Sequence, residues 1–259
     1  MGIKFHKFSG TGNDFILLDQ ISENFNFNQV QIQNWCHRRS GVGADGVLVL
    51  RPSSEHAFKM DIYNADGSQA EMCGNGARCC LYYLKNVKNY SDALITFETL
   101  NGIYEGRVEG ANVQLKMTEL YDEEKYDVSD LGNGHCYYLN TGVPHTVIQV
   151  SSLNDVNVQA LGKVVRFDKR FDGGTNVDFF EITDEKQQKV KVRVYERGVE
   201  GETLCCGTGV MAVAMTCHRK LGWTGEIKVQ TAGGDVSAII RDDLFYQGEV
   251  SHVFQGELV

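Results

Sequence analysis

No apolar run in this sequence is long enough to cross a membrane as a helix. The first residues, MGIKFHKF, contain no signal-peptide core and do not complete a myristoylation motif. Positive charge is in deficit, because 25 Lys and Arg residues stand against 34 Asp and Glu residues, for a net charge of −9. That balance argues against nucleic acid or an anionic membrane as the main partner. We therefore expect a soluble, cytoplasmic, globular protein.

The eight cysteines include no C-x-x-C spacing, so the sequence does not predict a metal site of the zinc type. A disulfide framework is the other common use of many cysteines. Without a signal peptide and at this chain length, reduced thiols are the better expectation. The vicinal pairs would form strained disulfides, so we expect packing thiols at Cys79, Cys80, Cys205 and Cys217.

One glycine-rich stretch, Gly41–Gly46, matches the dinucleotide-binding pattern in its letters alone. That pattern requires a strand before it and a helix after it. Here a predicted helix, Gln29–Arg39, precedes the glycines and an apolar run, Val47–Leu50, follows them. The order is reversed, which argues against nucleotide binding.

Two other stretches share a more informative pattern, MCGNGARCC at Met72–Cys80 and CCGTGVMAVA at Cys205–Ala214. In each, a cysteine directly precedes a Gly-x-Gly turn that opens an apolar helix, and such helices are usually buried. The first turns, with Cys73 and Cys206, are therefore expected to lie in a protected cleft. The alternative is a pair of structural thiols beside glycines that serve only tight turns.

The two stretches belong to a duplication. Tyr63 and Tyr195, and likewise Gly102 and Gly234, lie 132 positions apart. Cys73 and Cys206 lie 133 apart because the loop before Cys206 has one more residue. A constant offset over several landmarks predicts two similar halves, each with many short strands around one apolar helix.

We therefore expect an α/β (α+β) fold of two similar domains. Each is expected to consist of many short strands wrapped around one apolar helix. The predicted domains are residues 1–117 with 249–259, and residues 118–248. Polar residues 120–133 are interpreted as the connection, and the tail Val250–Val259 is expected to return as a strand to the first half. A turn at Asn101-Gly102 is expected to form a hairpin.

Helix starts have a specific chemistry. Their first backbone N–H groups lack partners and carry partial positive charge, so Gly74, Asn75, Gly207 and Thr208 are candidate donors to a substrate carboxylate. The same charge favours the thiolate of an adjacent cysteine. If Cys73 and Cys206 face one carbon, a thiolate removes its proton and the opposite thiol delivers another, inverting the stereocentre without a cofactor.

At these residues the sequence resembles the diaminopimelate epimerase family. The motifs that carry the resemblance are GTGNDF at Gly10–Phe15, NADGS at Asn64–Ser68, MCGNGARC at Met72–Cys79, YERG at Tyr195–Gly198, GET…CGTG at Gly201–Gly209 and GE at Gly248–Glu249. The resemblance implies a cofactor-independent isomerase of the lysine and peptidoglycan pathway, with a small amino-acid substrate, and a homodimer. It also implies that each of the two domains is a mostly antiparallel strand barrel around a central apolar helix, with the active site in the cleft between them. It implies no partnership with nucleic acid or membrane.

By that resemblance, Cys206 is the base and Cys73 the acid when the LL isomer becomes the meso form. His145 and Glu196 match residues that tune the cysteine pKa values. Positions matching substrate-binding residues are Asn13, Asn64, Gly74, Asn75, Asn176, Glu196, Arg197, Gly207 and Thr208.

Two departures leave the substrate open. The family commonly has glutamine where Gly46 stands and asparagine where Val143 stands, and both side chains contact substrate. A racemase or epimerase of proline, hydroxyproline or histidine with the same fold is the alternative. Asn75 argues against the proline group, and Arg197 favours a substrate with a second carboxylate. A non-catalytic binding protein or a thiol redox protein is the alternative from another class.

Overall fold

The computed structural model describes residues 2–117, 126, 128–131 and 135–258. The chain divides into two compact units. Unit 1 is Met1–Lys116 with Gly248–Val259, and unit 2 is Met117–Gln247. The expected connection, residues 120–133, lies for the most part outside the described residues. In the described part of the chain, every helix is too short or too polar to cross a membrane.

Unit 1 is a closed barrel of eight strands in the order β1-β2-β3-β4-β6-β7-β8-β16. Its elements are β1 (Ile3–Gly10), β2 (Asn13–Asp19), α1 (Gln29–Cys36), β3 (Gly46–Arg51), β4 (Phe58–Asn64), β5 (Gln69–Ala70), α2 (Gly74–Tyr82), β6 (Ile95–Thr99), β7 (Gly102–Glu109), β8 (Asn112–Lys116) and the greater part of β16 (Leu244–Leu258). The last strand pairs antiparallel with β1 from Val250 to Leu258. The predicted return of the tail to the first half is therefore confirmed.

Unit 2 repeats the order of elements. They are β9 (Cys136–Asn140), β10 (Pro144–Gln149), α3 (Val158–Arg166), β11 (Asn176–Asp184), β12 (Lys189–Glu196), β13 (Gly201–Thr203), α4 (Gly207–Leu221), β14 (Gly225–Thr231), β15 (Gly234–Ile240) and the start of β16. Each unit has two parallel strand pairings, and they fall at equivalent places. These are β2–β3 and β4–β6 in unit 1, and β10–β11 and β12–β14 in unit 2.

The pairing register repeats as well. Phe15 lies opposite Gly46 in unit 1, and Val147 lies opposite Asp178 in unit 2, so both partners are shifted by the sequence offset of 132. The predicted duplication of the α/β fold is thus confirmed down to single residue pairs, because a shift of one residue would turn every side chain to the other face.

Each unit packs around its Cys-Gly helix. Ala77, Cys79, Cys80 and Leu81 of α2 are fully buried. In unit 2, α4 is buried along Val210–Ala214 in a cluster with strand residues. A helix that is apolar nearly all round needs a covering on all sides, and a curved sheet provides it. The core thiols Cys79, Cys80 and Cys217 serve packing, and burial raises the pKa of Cys217 to about 12.

Two local predictions were wrong. Helix α1 ends at Cys36 rather than Arg39, since the His37 ring accepts hydrogen bonds from the backbone N–H groups of Arg39 and Ser40 and holds a turn there. The hairpin turn is Leu100-Asn101 rather than Asn101-Gly102. Gly102 instead pairs with Thr99, whose hydroxyl donates to its carbonyl over 3.0 Å.

Candidate active site

In unit 1, Cys73 is the residue that starts helix α2. Its backbone is extended, with φ of −145°, and its sulfur accepts a hydrogen bond from the Gly76 N–H at 3.5 Å. This is the N-cap position that serine or threonine commonly occupies, where a side-chain acceptor satisfies a free N–H of the first turn. The cysteine sulfur is therefore fixed at the positive end of the helix and is partly exposed.

Asn13 is the side chain beside this thiol, with its Oδ1 3.8 Å from Cys73 Sγ. Its Nδ2 donates to Asp45 Oδ2 at 2.7 Å, so the other end of the amide points to the sulfur. Asp45 is held in turn by Arg38 at 2.7 Å. The glycine-rich stretch that leads into β3 thus contributes, through Asp45, an anchor for the Asn13 side chain.

Behind Asn13, Asp14 joins two cations. Lys7 donates to Asp14 Oδ2 at 2.5 Å, and Arg38 donates to both oxygens at 2.7 and 3.1 Å. Partial burial by itself raises the pKa of Asp14, but the hydrogen bonds from Arg38 and Lys7 outweigh it and lower this pKa to about 2. At the start of strand β2, Asp14 is therefore held next to Asn13 by two positive side chains. We call this group of Asp14, Lys7 and Arg38 the Asp14 clamp.

A buried arginine ties three segments of unit 1 together. Arg78 of α2 is 0% exposed and donates to Asn75 Oδ1 at 2.7 Å, to Thr11 Oγ1 at 2.8 Å and to the Glu249 carbonyl at 3.2 Å. Thr11 has φ of +56°, an uncommon region for a β-branched residue. Arg78 thus holds the turn before Asn13, and it also hydrogen-bonds to the Asn75 side chain. At the end of β4, the Asn64 Nδ2 donates to Ser68 Oγ at 3.0 Å.

In unit 2, Cys206 starts helix α4 with extended backbone, φ −114°. Its Sγ lies 3.3 Å from Thr208 Oγ1. Burial raises the pKa of Cys206 well above its ordinary value, the negative charges of Glu196 and Asp178 raise it further, and the Thr208 hydrogen bond lowers it. The helix-start argument taken alone gives the opposite direction. It is outweighed here because two carboxylates and desolvation act on the same sulfur.

The hydroxyl of Thr208 also contacts a histidine. His145 Nε2 lies 3.0 Å from Thr208 Oγ1, and His145 Nδ1 lies 2.6 Å from Asp178 Oδ2. Both side chains of this second contact are 0% exposed. His145 therefore sits between a buried carboxylate and the hydroxyl next to the cysteine.

The other predicted residues of unit 2 lie around the carboxyl end of β12. Glu196 accepts from Thr203 Oγ1 at 2.7 Å, and burial raises the pKa of Glu196. Asn176 spans two backbone segments, donating to the Pro144 carbonyl at 2.9 Å and accepting from the Arg197 N–H at 2.8 Å. Within the described ranges, the Arg197 guanidinium has no hydrogen-bond or ion-pair partner.

The two units have equivalent positions around their cysteines, and apart from the cysteines themselves these positions carry different residues. With the offset of 132, or 133 after the extra loop residue, the equivalent pairs are Asn13 and His145, Gly46 and Asp178, Asn64 and Glu196, Asn75 and Thr208, and Cys73 and Cys206. Neutral amides and glycine stand in unit 1 where ionisable groups and a hydroxyl stand in unit 2. The structure groups Cys73 with Asn13, and Cys206 with Thr208, His145 and Glu196.

Sequence reasoning missed three contributors, Asp45, Arg78 and Asp178. A signal for Asp178 was present, because the same offset that relates the cysteines leads from Gly46 to Asp178. Asp45 and Arg78 carry no such signal, since each acts through contacts between segments distant in the chain.

Comparison with known proteins places these features in a family. The family model described as "Diaminopimelate epimerase" matches residues 5–121 and 131–253. A diaminopimelate epimerase of Methanocella arvoryzae is 39% identical over 99% of this chain and 96% of its own. One from Archaeoglobus fulgidus is 38% identical over 100% and 97%.

Solved structures with lower identity show the same fold. A phenazine biosynthesis protein of the PhzF family from Enterococcus faecalis aligns with a TM-score of 0.74 at 10% identity, covering 100% of both chains. A hydroxyproline epimerase from Agrobacterium vitis aligns with a TM-score of 0.66 at 13% identity over 99% and 92%. Proteins named for different reactions therefore share this fold, whereas the family model and the relatives of higher sequence identity all carry the same name. The chain belongs to the diaminopimelate epimerase family.

Proposed function

We propose that this isomerase interconverts LL-2,6-diaminopimelate and meso-diaminopimelate by moving a proton at one α-carbon. The observation that carries the proposal is the pair of N-cap cysteines, Cys73 on α2 and Cys206 on α4. Both are partly exposed, each next to the partly positive end of a buried helix. A binding protein or a structural helix start needs a cap but has no use for a thiol at both equivalent positions.

In the proposed reaction both thiols act on the same carbon from opposite faces. Starting from the LL isomer, the Cys206 thiolate removes the α-proton and the Cys73 thiol delivers a proton to the other face. The roles exchange in the reverse direction. The α-proton of an amino acid is weakly acidic, so negative charge developing on the substrate carboxylate must be stabilised as the proton leaves.

The two helix starts are the proposed source of that stabilisation. Backbone N–H groups of Gly74, Asn75, Gly207 and Thr208 carry the partial positive charge of α2 and α4. The Asn75 amide oxygen accepts from Arg78, so this side chain is fixed at the start of α2. Asn13 and Asn64 in unit 1 and Glu196 in unit 2 are the proposed contacts of the reacting amino-acid end, Glu196 as partner of the ammonium group.

Recognition of the distal end is assigned to Arg197 and Asn176. Arg197 presents a guanidinium without a partner among the described residues, which suits a bidentate contact with a second carboxylate. Asn176 fixes the backbone of Arg197 through its own side chain. Proline and hydroxyproline lack a second carboxylate, so this pair favours diaminopimelate.

The proposal includes the setting of the enzyme. The reaction is expected to need neither pyridoxal phosphate nor a metal, because the two thiols supply base and acid. We also propose that the enzyme serves lysine and peptidoglycan precursor biosynthesis, in line with the names of its relatives. Its proposed form is a cytoplasmic homodimer.

The decisive test is a substrate panel in D2O. LL-diaminopimelate, proline, hydroxyproline, histidine and glutamate are incubated with the enzyme, and products are separated by chiral chromatography and analysed for deuterium. We expect conversion of LL-diaminopimelate to the meso form with deuterium at the inverted α-carbon, unchanged by a chelator or by added pyridoxal phosphate. Turnover of proline instead would show that the substrate belongs to the alternative class. Inversion without deuterium would exclude proton exchange with solvent at the α-carbon.

A further inference from the structure

The cysteine of unit 2 ends a continuous chain of hydrogen-bonding groups. Cys206 Sγ is 3.3 Å from Thr208 Oγ1, Thr208 Oγ1 is 3.0 Å from His145 Nε2, and His145 Nδ1 is 2.6 Å from Asp178 Oδ2. These are hydrogen-bonding distances, with allowance for the larger sulfur atom. The four side chains come from β10, β11 and the first turn of α4, so the fold itself lines them up.

The donors in this chain can be assigned from chemistry. An ionised carboxylate only accepts, so His145 Nδ1 carries a hydrogen and donates to Asp178. In neutral His145, Nε2 then accepts from the Thr208 hydroxyl, whose oxygen accepts from the Cys206 thiol. If the thiol proton passes to the Thr208 oxygen and the hydroxyl proton passes to Nε2, every hydrogen bond persists with its direction reversed between Cys206 and His145. Cys206 becomes a thiolate and His145 an imidazolium.

The surroundings of the Asp178 carboxylate indicate a role beyond stabilising the fold. Its side chain is 0% exposed, and its Oδ1 has no hydrogen-bond partner. A β-carbon at position 209 would lie 2.1 Å from that oxygen, so Gly209 is what lets the carboxylate reach the first turn of α4. The positive end of the helix favours a negative charge there, and a buried carboxylate needs a positive partner.

Unit 1 offers no equivalent chain among its described residues. The positions of His145 and Asp178 are held there by Asn13 and Gly46, and neither side chain takes up a proton. Asn13 contacts the Cys73 sulfur directly instead. In the described residues, therefore, Cys206 has a hydrogen-bonded group that can accept its proton, and Cys73 does not.

We propose that Asp178 is a positioning residue that holds His145 as the proton acceptor for Cys206, with the Thr208 hydroxyl as the relay between them. This deepens the proposed function and rests on it for the role of Cys206 as a base. It identifies the route by which a thiol whose surroundings oppose ionisation loses its proton. Besides His145, the charged groups that face Cys206 are Glu196 of β12 and Asp178 of β11.

The test measures ionisation of Cys206 directly. The full-length protein is treated with iodoacetamide between pH 6 and pH 9, and modification of Cys206 and of Cys73 is followed by peptide mass spectrometry. The variants are Asp178→Asn, Thr208→Val and Thr208→Ser, with Thr216→Val as the control. Thr216 is a buried residue of the same helix whose hydroxyl bonds only the Ala212 carbonyl. Glu196→Gln is the matched change of the second carboxylate.

The direction of the effect discriminates between relay and simple charge. As a plain negative charge near the sulfur, Asp178 opposes the thiolate, so its removal would speed alkylation, and Glu196→Gln is expected to do so. As the anchor of the relay it favours the thiolate. Asp178→Asn and Thr208→Val should therefore slow Cys206 alkylation at neutral pH about tenfold or more, the loss of one hydrogen bond to a charged group, and move its pH midpoint upwards.

Rescue and specificity complete the test. Thr208→Ser keeps the hydroxyl and should remain within about twofold of the unmodified protein, and Cys73 alkylation should not change in any of these variants. Faster Cys206 alkylation in Asp178→Asn, or equal slowing of both cysteines, would overturn the relay. Because no epimerase assay is involved, absence of diaminopimelate turnover would count against the proposed function and leave this result standing.

Discussion

At the scale of single residues, the two halves of this protein show how one scaffold position serves two chemistries. Asn13 and His145 stand at equivalent places, but Asn13 contacts the Cys73 sulfur directly, whereas His145 contacts the Thr208 hydroxyl next to Cys206. The amide offers a fixed acceptor to Cys73, while the imidazole accepts a proton by way of Thr208. A two-base reaction needs one thiolate and one thiol at the outset, and this difference between equivalent residues creates that inequality.

Cys73 and Cys206 could be predicted from sequence because a thiol before Gly-x-Gly and an apolar run is a local pattern that occurs twice. Asp178 could not be recognised locally, since it reads as an ordinary polar residue at the start of a strand. What makes it important is its partner, 33 residues earlier in the chain, and a glycine on another element. Long-range contacts of this kind leave no trace in periodicity.

The Asp14 clamp gives a prediction for acid stability. Its pKa is about 2 in the folded protein against an ordinary value of 3.8, so the ionised carboxylate is the better-stabilised form. The contribution, about 2 kcal/mol, is complete above about pH 5 and is lost as pH falls towards 2. Urea unfolding of a Trp223→Phe variant, in which Trp35 alone reports on unit 1, should show this loss.

Asp14→Asn provides the comparison for that measurement. In the same background it should be less stable than the parent at pH 6 and should lose less stability between pH 4 and pH 2.5. An unchanged slope with pH would mean that the pairing with Lys7 and Arg38 does not stabilise unit 1.

At the scale of elements, the start of α4 is shaped by the absence of a side chain at Gly209. Alanine is normally favoured over glycine inside a helix by about 1 kcal/mol. Here the added methyl group would meet Asp178 Oδ1 at 2.1 Å, so Gly209→Ala should destabilise unit 2 by about 1–3 kcal/mol and slow Cys206 alkylation. Thermal unfolding and alkylation rate are the two measurements.

Gly201→Ala is the matched control, because a methyl group there meets only Gln159 at 3.8 Å. It should change neither quantity appreciably. A Gly209→Ala protein as stable and as reactive as the parent would show that Asp178 does not need its place beside α4.

The departure at Gly46 also has a structural cause. Gly46 pairs with Asn64 in β4, and a β-carbon there would lie 2.5 Å from the Tyr63 carbonyl oxygen, a backbone atom. Restoring the family's glutamine by Gly46→Gln should therefore lower the melting temperature, at a cost of about 1–3 kcal/mol. Val143→Asn, on a partly exposed turn, should stay within about 0.5 kcal/mol of the parent.

The same pair tests substrate recognition. If the asparagine of the family contacts the distal end, Val143→Asn should lower KM for LL-diaminopimelate without a matching change in kcat. A Gly46→Gln variant with unchanged melting temperature would show that β4 has room for the side chain and that the departure has another origin.

Sequence reasoning predicted the start of both central helices, because caps and glycines are local signals. It misplaced the end of α1 and the turn between β6 and β7. In both cases a side chain, His37 or Thr99, hydrogen-bonds to nearby backbone and competes with the helix or turn that propensity favours.

At the scale of the whole molecule, the offset of 132 predicted the architecture more securely than any element taken alone. Two copies of one order of strands and helices must each bury a central helix, and the last strand closes the first barrel by pairing with β1. Closure removes the exposed strand edges of unit 1. It also ties the two ends of the chain together, as expected for a tail that lies beyond the second repeat.

The proposal of one reacting thiol in each half of a duplicated chain makes a prediction that depends on both halves at once. With Cys73→Ala, the Cys206 base still removes the α-proton of the LL isomer, but the thiol that would deliver a proton to the other face of the carbon is missing. The proton must return to the face it left, after exchange with solvent on the thiol. Epimerisation should therefore fall by at least about a thousandfold, while LL-diaminopimelate in D2O gains deuterium without inversion.

Cys206→Ala should fail to label the LL isomer and should instead label meso-diaminopimelate at its D centre. Mass spectrometry after chiral separation measures both outcomes. Near-normal epimerisation by either variant would contradict the two-base mechanism, and equal labelling of both isomers by one variant would contradict the assignment of each thiol to one face.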